Sequence, residues 1–139
     1  FDSMDNIYKS IEEKYGEDNY EIKLNQIEKN KSTQVIYFDF DKTDLTNINI
    51  DKIKIFILEN KNIIDKFLIT GHTDTVGSDK YNHILSINRA NAIKKIILSL
   101  GIENKNIEIL GKGENQLNIE TEDEIDQPAN RRAEISPLN

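Results

Sequence analysis

The chain has 139 residues, enough for one domain with a single buried core, and a formal net charge of −7 at pH 7. That charge argues against a nucleic-acid partner and against adhesion to an anionic membrane surface, because both need a positive field. The sequence contains no cysteine, which excludes disulfides and thiolate chemistry, and no run is long and apolar enough to span a bilayer. Because it begins at Phe1 without an initiator methionine, we expect it to be a piece of a longer protein.

The first part of the chain carries the pattern of a helix over 2–15 and of a strand over 20–24. A polar turn links this strand to a second one predicted over 34–40, which favours a hairpin. We therefore expect residues 1–30 to form an N-terminal extension or linker, and residues 31–139 to form the main domain.

After residue 41 the sequence alternates between amphipathic helices and short apolar strands. The predicted spans are a helix over 47–62, a strand over 67–70, a helix over 80–100, a strand over 107–110 and a strand over 132–136. From residue 34 onward this order is β-α-β-α-β-β, which predicts an α/β (α+β) sandwich with a mixed sheet and helices packed on one face. The acidic segment 114–128 lacks periodicity and is expected to be a loop. Its stretch 120–124 could suggest a calcium site, but it lacks the ligand and glycine spacing of a calcium loop, so we expect it to be solvated.

Each predicted helix has an apolar stripe that we expect to face the core. In the first helix the stripe consists of Ile50, Ile53, Ile57 and Leu58. In the second helix it consists of Tyr81, Ile84, Leu85, Ala92, Ile93, Ile96, Ile97 and Leu100.

Arginine is scarce: the chain has 18 lysines and arginines together, and only positions 89, 131 and 132 are arginine. A guanidinium group matches a carboxylate with two parallel hydrogen bonds, which a lysine cannot imitate. We expect Arg89 to be partly buried, with its head directed toward the preceding loop 71–77 and near Asp74. An acceptor beside a donor fork suits a ligand with an ammonium and a carboxylate group. An internal salt bridge between loop and helix needs the same two residues.

These residues stand in a longer series of motifs. The series is Tyr37-Phe38-Asp39-Phe40-Asp41-Lys42, Thr70-Gly71-His72-Thr73-Asp74, Gly77, Tyr81-Asn82, Leu85-Ser86, Arg89-Ala90, Gly101-Ile102, Gly111-Lys112-Gly113-Glu114 and Asn130-Arg131-Arg132-Ala133-Glu134. Over roughly residues 34 to 136 it resembles the OmpA-like C-terminal domain, the family of outer-membrane protein A, the peptidoglycan-associated lipoprotein and the flagellar stator protein MotB. The sequence departs from the family at Leu117, where a proline is usual, and over 125–128, where a further arginine is usual.

The resemblance implies a domain that is not an enzyme and that binds peptidoglycan non-covalently through the diaminopimelate of its peptide stem. It implies that Asp74 binds the ligand's ammonium group, that Arg89 binds its carboxylate, and that Asn82 forms a hydrogen bond in the same pocket through its side-chain amide. It also implies that Asp41 contributes mainly through its backbone and that Arg131 and Arg132 lie near the pocket. It implies neither a cofactor nor a metal. The domain would anchor a larger envelope protein to the cell wall in the periplasm, with any membrane tether in a segment outside this sequence. Neither the sequence nor the resemblance decides whether the domain forms a homodimer.

An alternative is a magnesium-dependent phosphatase of the haloacid-dehalogenase type. In that case Asp39 and Asp41, which follow an apolar strand, would be the nucleophile and the acid. The remaining groups would be Thr70, Lys94 or Lys95, and Asp123 or Asp126. The chain is too short for the doubly wound sheet of that fold, and a strand residue followed by a loop residue explains the same motif.

A metal site through His72 and Asp74 has less support, because two histidines and scattered carboxylates fit no zinc pattern. We expect His72 to be a packing residue of the loop, with its ring hydrogen-bonded to backbone.

Overall fold

The computed structural model describes residues 32–138. Within them the elements are β1 (Gln34–Tyr37), α1 (Asn47–Asn60), β2 (Phe67–Gly71), α2 (Asp79–Ser99), β3 (Ile107–Gly111) and β4 (Arg132–Pro137), with short 3₁₀ turns at Asn104–Asn106 and Pro128–Asn130. The predicted fold class and element order are confirmed, whereas the helix over 2–15 and the strand over 20–24 lie outside the described residues. No helix within residues 32–138 has the length and apolar character needed to cross a membrane.

The four strands form one mixed sheet in the order β1-β4-β2-β3. Strands β2 and β3 are parallel, and β4 runs antiparallel to both of its neighbours, β1 and β2. The predicted strand 34–40 is shorter than expected, because the chain turns after Phe38. The Lys42 N–H donates to the Asp39 carbonyl at 3.1 Å, and Asp41 adopts a φ of 55°, which no extended strand accommodates.

The core lies between one face of the sheet and the two helices. In register across the sheet, Ile69 of β2 faces the same side as Ile135 of β4, and both are fully buried. The buried apolar residues are Ile36, Phe38, Ile53, Phe56, Ile57, Phe67, Ile69, Ala90, Ile93, Ile97, Leu100, Ile107, Ala133 and Ile135. In α1 the predicted core residues Ile50 and Leu58 are only half-buried. Phe56 takes their place, packing edge-on against Phe67 with ring centroids 6.3 Å apart.

The predicted apolar stripe of α2 is wrong in the first half of the helix. Tyr81 and Ile84 are about half exposed, and the buried positions there are Asn82, Ser86 and Arg89. The reason is that this half of α2 lies over loops whose backbone groups need hydrogen-bond partners, which apolar side chains cannot supply. Polar side chains therefore occupy a face that periodicity assigns to the core.

Two glycines allow α2 to rest directly on the sheet. A Cβ atom at Gly71 would lie 1.8 Å from the carbonyl oxygen of Ser86, and one at Gly111 would lie 2.7 Å from the Ser86 Oγ. Gly71 and Gly111 are neighbours in the parallel pair β2–β3. The close approach brings the first half of α2 over the loops that follow these strands.

We predict that Gly71→Ala destabilises the domain by roughly 3 kcal/mol or more, because the obstructing atom belongs to the rigid backbone of α2. The measurement is the free energy of unfolding in urea. Gly101→Ala is the control: it also replaces a glycine, at a φ of 93°, but meets no atom within 4 Å. Its free energy of unfolding should fall only by the cost of placing alanine in a left-handed conformation, about 1–2 kcal/mol. Equal losses would contradict the seating of α2 on Gly71.

Candidate functional site

A cavity of about 210 Å³ opens between the β1–α1 loop, the β2–α2 loop and the first half of α2. It is smaller than the roughly 300–1,000 Å³ of sites for drug-sized molecules, so it suits a group the size of one amino acid. Its lining combines two carboxylates and one guanidinium with apolar and aromatic surface. The lining residues are Phe40, Asp41, Asp74, Val76, Gly77, Tyr81, Asn82, Leu85 and Arg89.

Arg89 is fully buried rather than partly buried as the sequence predicts. Its guanidinium donates to three backbone carbonyls: Nε to Lys42 at 2.9 Å, one terminal nitrogen to His72 at 2.9 Å and the other to Asp39 at 3.2 Å. The first and third acceptors belong to the β1–α1 loop, and the second belongs to the β2–α2 loop. One side chain on α2 therefore ties together the two loops that frame the cavity.

The charge of Arg89 survives this burial. Desolvation lowers the pKa of the guanidinium to about 10, while the nearby Asp74 carboxylate acts in the opposite direction. The group is consequently protonated at neutral pH, and it stacks over the Phe38 ring with 5.2 Å between the guanidinium carbon and the ring centroid. Of the five N–H hydrogens of an arginine, three are engaged by the carbonyls, which leaves two without a carbonyl acceptor.

Asp74 is also buried, with 4% of its surface exposed. Its Oδ1 accepts a hydrogen bond from the Val76 N–H at 3.2 Å, and its Oδ2 lies 3.5 Å from a terminal nitrogen of Arg131. Asn82 holds the loop from below, since its Nδ2 donates to the Val76 carbonyl at 2.9 Å and to the Asp74 carbonyl at 3.3 Å. The carboxylate is thus fixed in the cavity wall.

The two residues that the sequence paired are brought to the same cavity with different partners. Asp74 forms its salt bridge with Arg131, and Arg89 is bonded to backbone carbonyls. The alternative of an internal Asp74–Arg89 salt bridge is therefore not the arrangement in the structure. Both charged groups line the cavity.

Asp41 and Tyr81 meet at the cavity. The Tyr81 hydroxyl donates a hydrogen bond to the Asp41 carboxylate, and this contact raises the pKa of Tyr81. Both side chains are exposed. The apolar periodicity of the helix predicts Tyr81 in the core, and both Tyr81 and Phe40 stand in the series of motifs described above. A signal for their place at the cavity is that each is an aromatic residue next to a candidate site residue, Phe40 beside Asp41 and Tyr81 beside Asn82.

Arg131 and Arg132 do not line this cavity. Arg131 lies behind Asp74, where its terminal nitrogen contacts both Asp74 and Asp126 and its Nε donates to the Phe38 carbonyl at 3.1 Å. Arg132 points away, pairing with Glu134 at 2.7 Å and donating to the Gln116 carbonyl at 3.1 Å. The structure thus brings together Asp74, Arg89, Asn82 and Asp41, with Arg131 in a supporting position.

The acidic segment is a loop with exposed acidic side chains, as expected, and its backbone is attached to the Asp74 loop. The Thr75 Oγ donates to the Glu122 carbonyl at 2.8 Å and accepts from the Ile125 N–H at 2.9 Å. The fully buried Asn130 exchanges two 2.8 Å hydrogen bonds with the backbone of Ile119. Asn130, which sequence reasoning only placed in a motif, therefore fixes this segment against the domain.

The residues of the phosphatase alternative are not brought to one site. Asp41 lines the cavity described above, whereas Asp39 lines a second cavity beside Arg131. β1 lies at the edge of the described sheet rather than at its centre. Among residues 32–138, no three His, Asp or Glu side chains converge in an arrangement that would hold a metal ion.

His72 is 2% exposed, and its Nε2 lies 3.8 Å from the Glu134 carboxylate. Burial, followed by the nearby Arg132 charge, lowers the pKa of the imidazole to about 4. A hydrogen bond between the ring and the Gln116 backbone, as expected, acts in the opposite direction, while the Nδ1 atom has no hydrogen-bond partner within the described residues. The carbonyl of His72, rather than its ring, serves the site through Arg89.

The chain is similar to known proteins over most of its length. A family model described as the OmpA family matches residues 37–132. Outer membrane protein A of Buchnera aphidicola subsp. Schizaphis graminum is 41% identical over 81 residues, 56% of this chain and 23% of that protein. The peptidoglycan-associated lipoprotein of Buchnera aphidicola subsp. Baizongia pistaciae is 31% identical over 124 residues, 87% of this chain and 69% of that protein. The chain thus spans about a quarter of the first relative.

Among solved structures, the OmpA-like domain of FopA1 from Francisella tularensis subsp. tularensis SCHU S4 superposes with a TM-score of 0.65. It is 27% identical in sequence, and the match covers 77% of this chain and 73% of that one.

We predict that Arg89→Lys destabilises the domain by roughly 2–4 kcal/mol, because one ammonium cannot reach three separate carbonyls. The free energy of unfolding in urea measures the effect. Arg131→Lys is the matched control, since a lysine at that position keeps a charge beside the Asp74 and Asp126 carboxylates. It should lose distinctly less, and equal losses for the two variants would contradict the role of Arg89 in joining the loops.

We predict that stability falls as the pH drops from 7 to 5. The unfolded chain protonates His72 near pH 6.5 and the folded domain only near pH 4, so the unfolded state binds more protons in this range. The stability contributed by the neutral ring is complete above pH 6.5, and the part lost by pH 5 is roughly 2 kcal/mol. Urea unfolding at both pH values should show a smaller loss in His72→Gln, and an unchanged loss in His83→Gln, which replaces the exposed histidine. An unchanged loss in His72→Gln would contradict this assignment.

Proposed function

Because this chain belongs to the OmpA family, we propose that its domain binds the peptide stem of peptidoglycan without catalysing a reaction, and so anchors a larger envelope protein to the cell wall. The observation that carries the proposal is one amino-acid-sized cavity lined by two carboxylates and a charged guanidinium. A relative named as a peptidoglycan-associated lipoprotein, matched over 87% of this chain, supports the ligand class.

The two carboxylates of the cavity match an ammonium group of the proposed ligand. Asp74 is buried in the wall and Asp41 is exposed at the same cavity, so an ammonium placed between them has acceptors on two sides. An ammonium has three hydrogens to donate and no acceptor, which matches a cavity whose negative groups outnumber its positive one. Desolvation of Asp74 strengthens the attraction relative to that of a surface carboxylate.

The guanidinium of the cavity matches a carboxylate group of the proposed ligand. Arg89 has two N–H hydrogens beyond those bonded to carbonyls, and its charge persists at neutral pH. Because the same side chain is locked by the two loops, it is held in place before a ligand arrives. Such preorganisation spares the ligand the entropic cost of ordering a long side chain.

The pair of groups selects the free end of diaminopimelate within the stem. That end carries both an ammonium and a carboxylate, while its methylene chain finds apolar surface at Phe40, Val76 and Leu85. A lysine in the same place of a stem has the ammonium but lacks the carboxylate. Peptidoglycan lies outside the cytoplasm, so the proposed location is the periplasm, with any membrane tether in another part of the protein.

We predict that Asp74→Asn weakens binding to insoluble peptidoglycan sacculi by roughly thirtyfold or more, the equivalent of about 2 kcal/mol for one partner of a buried charge pair. The Asn keeps the shape of the side chain and an acceptor for the Val76 N–H. Co-sedimentation with sacculi measures the bound fraction, and circular dichroism verifies the fold.

Asp126→Asn is the matched control, because Asp126 also pairs with Arg131 but is exposed and does not line the cavity. It should bind as the unmodified domain does. Competition by a soluble stem tripeptide containing diaminopimelate, but not by its lysine counterpart, tests the carboxylate contact. Undiminished binding of a folded Asp74→Asn variant would contradict the proposed pocket, and equal competition by both tripeptides would contradict the role of Arg89.

A further inference from the structure

A second cavity, of about 370 Å³, adjoins the first one and has no part in the site proposed above. Its lining is Tyr37, Phe38, Asp39, Pro128, Ala129 and Arg131. We propose that it is a saccharide subsite, which takes a sugar ring of the glycan to which the bound stem is attached. The inference rests on the proposed function, because it supposes that the stem occupies the first cavity.

The two cavities share a wall. Arg131 lines the second cavity and reaches Asp74 of the first with a nitrogen–oxygen distance of 3.5 Å. Asp39 and Asp41 belong to one turn, with Asp39 lining the second cavity and Asp41 the first. One arginine side chain therefore connects the two cavities. The two stem residues between diaminopimelate and the sugar cover roughly 7 Å when extended, a length comparable with that of an arginine side chain.

The chemistry of the second cavity favours a sugar. Tyr37 is 49% exposed although it is a large aromatic residue at the end of β1. The face of an aromatic ring is electron-rich, so the C–H face of a pyranose, whose hydrogens carry partial positive charge, packs well against it. Asp39 is exposed and accepts hydrogen bonds only, which suits the hydroxyl and acetamido N–H donors of a sugar. Pro128 and Ala129 supply further apolar surface.

The charges argue against an acidic group of the stem as the occupant. The guanidinium of Arg131 is already compensated by Asp74 and Asp126, and Asp39 adds a third carboxylate nearby. A stem carboxylate placed here would meet a net negative environment. A neutral ring with several donors meets no such repulsion.

The test compares two ligands by isothermal titration calorimetry: the N-acetylated stem tripeptide with diaminopimelate, and the same tripeptide carrying its disaccharide, so that both ligands have an amide in place of the free amino terminus. The unmodified domain should bind the disaccharide form roughly two- to tenfold more tightly, the range expected for one aromatic contact. Tyr37→Ala should abolish this difference while leaving affinity for the bare tripeptide unchanged, since Tyr37 does not line the first cavity.

Two further variants serve as controls. Tyr37→Phe keeps the ring and should keep most of the difference. Leu110→Ala removes another exposed residue, one that lines neither cavity, and should keep all of it. Equal binding of the two ligands by the unmodified domain, or a difference that survives Tyr37→Ala, would overturn the saccharide subsite and leave the proposed function standing. If neither ligand binds, the proposed function fails and the subsite fails with it.

Discussion

The three hydrogen bonds from the Arg89 guanidinium to backbone carbonyls are the interaction on which the site depends. The acceptors lie on two loops that leave the sheet after β1 and β2, where strand pairing no longer satisfies the backbone. A buried carbonyl without a partner costs free energy comparable to a lost hydrogen bond. Arg89 removes that cost at the buried His72 carbonyl and also bonds the Lys42 and Asp39 carbonyls of the other loop, and the same geometry places a charged, desolvated group in the wall of the cavity between them.

The position of Arg89 depends in turn on how closely α2 approaches the sheet. Gly71 and Gly111 place no side chain between the strands and the helix, so the backbone of Ser86 lies directly on β2. The Ser86 Oγ accepts a hydrogen bond from the Gly113 N–H at 3.0 Å, which attaches the loop after β3 to the same helix. Because packed interiors adjust little, a shift of α2 would move Asn82, Ser86 and Arg89 together.

Asp74 and Arg89 have different partners around the cavity, so they do not form a salt bridge with each other. Arg131, held by the Phe38 carbonyl, supports Asp74 from behind, and Arg89 is satisfied by backbone. Neither arrangement uses the whole hydrogen-bonding capacity of its group, so each group keeps the acceptors or donors that the proposed binding of a ligand requires. The docked segment 119–125 stabilises the Asp74 loop through Thr75 and thereby contributes to the site without lining it.

By itself the sequence determined the element order and the mixed sheet, because strands and helices leave strong periodic patterns. It also predicted Arg89 through the scarcity of arginine, Asp74 through the loop that precedes the helix of Arg89, and Asn82 through the family resemblance. Tertiary structure alone decided which partner each charge takes, since Arg131 reaches Asp74 across 57 positions of the chain. It also decided that α2 buries polar groups where periodicity predicted Tyr81 and Ile84. A helix that covers the backbone of loops must provide hydrogen-bond partners for it. Which residues of the helix do so depends on contacts that are distant in sequence, and no local pattern encodes them.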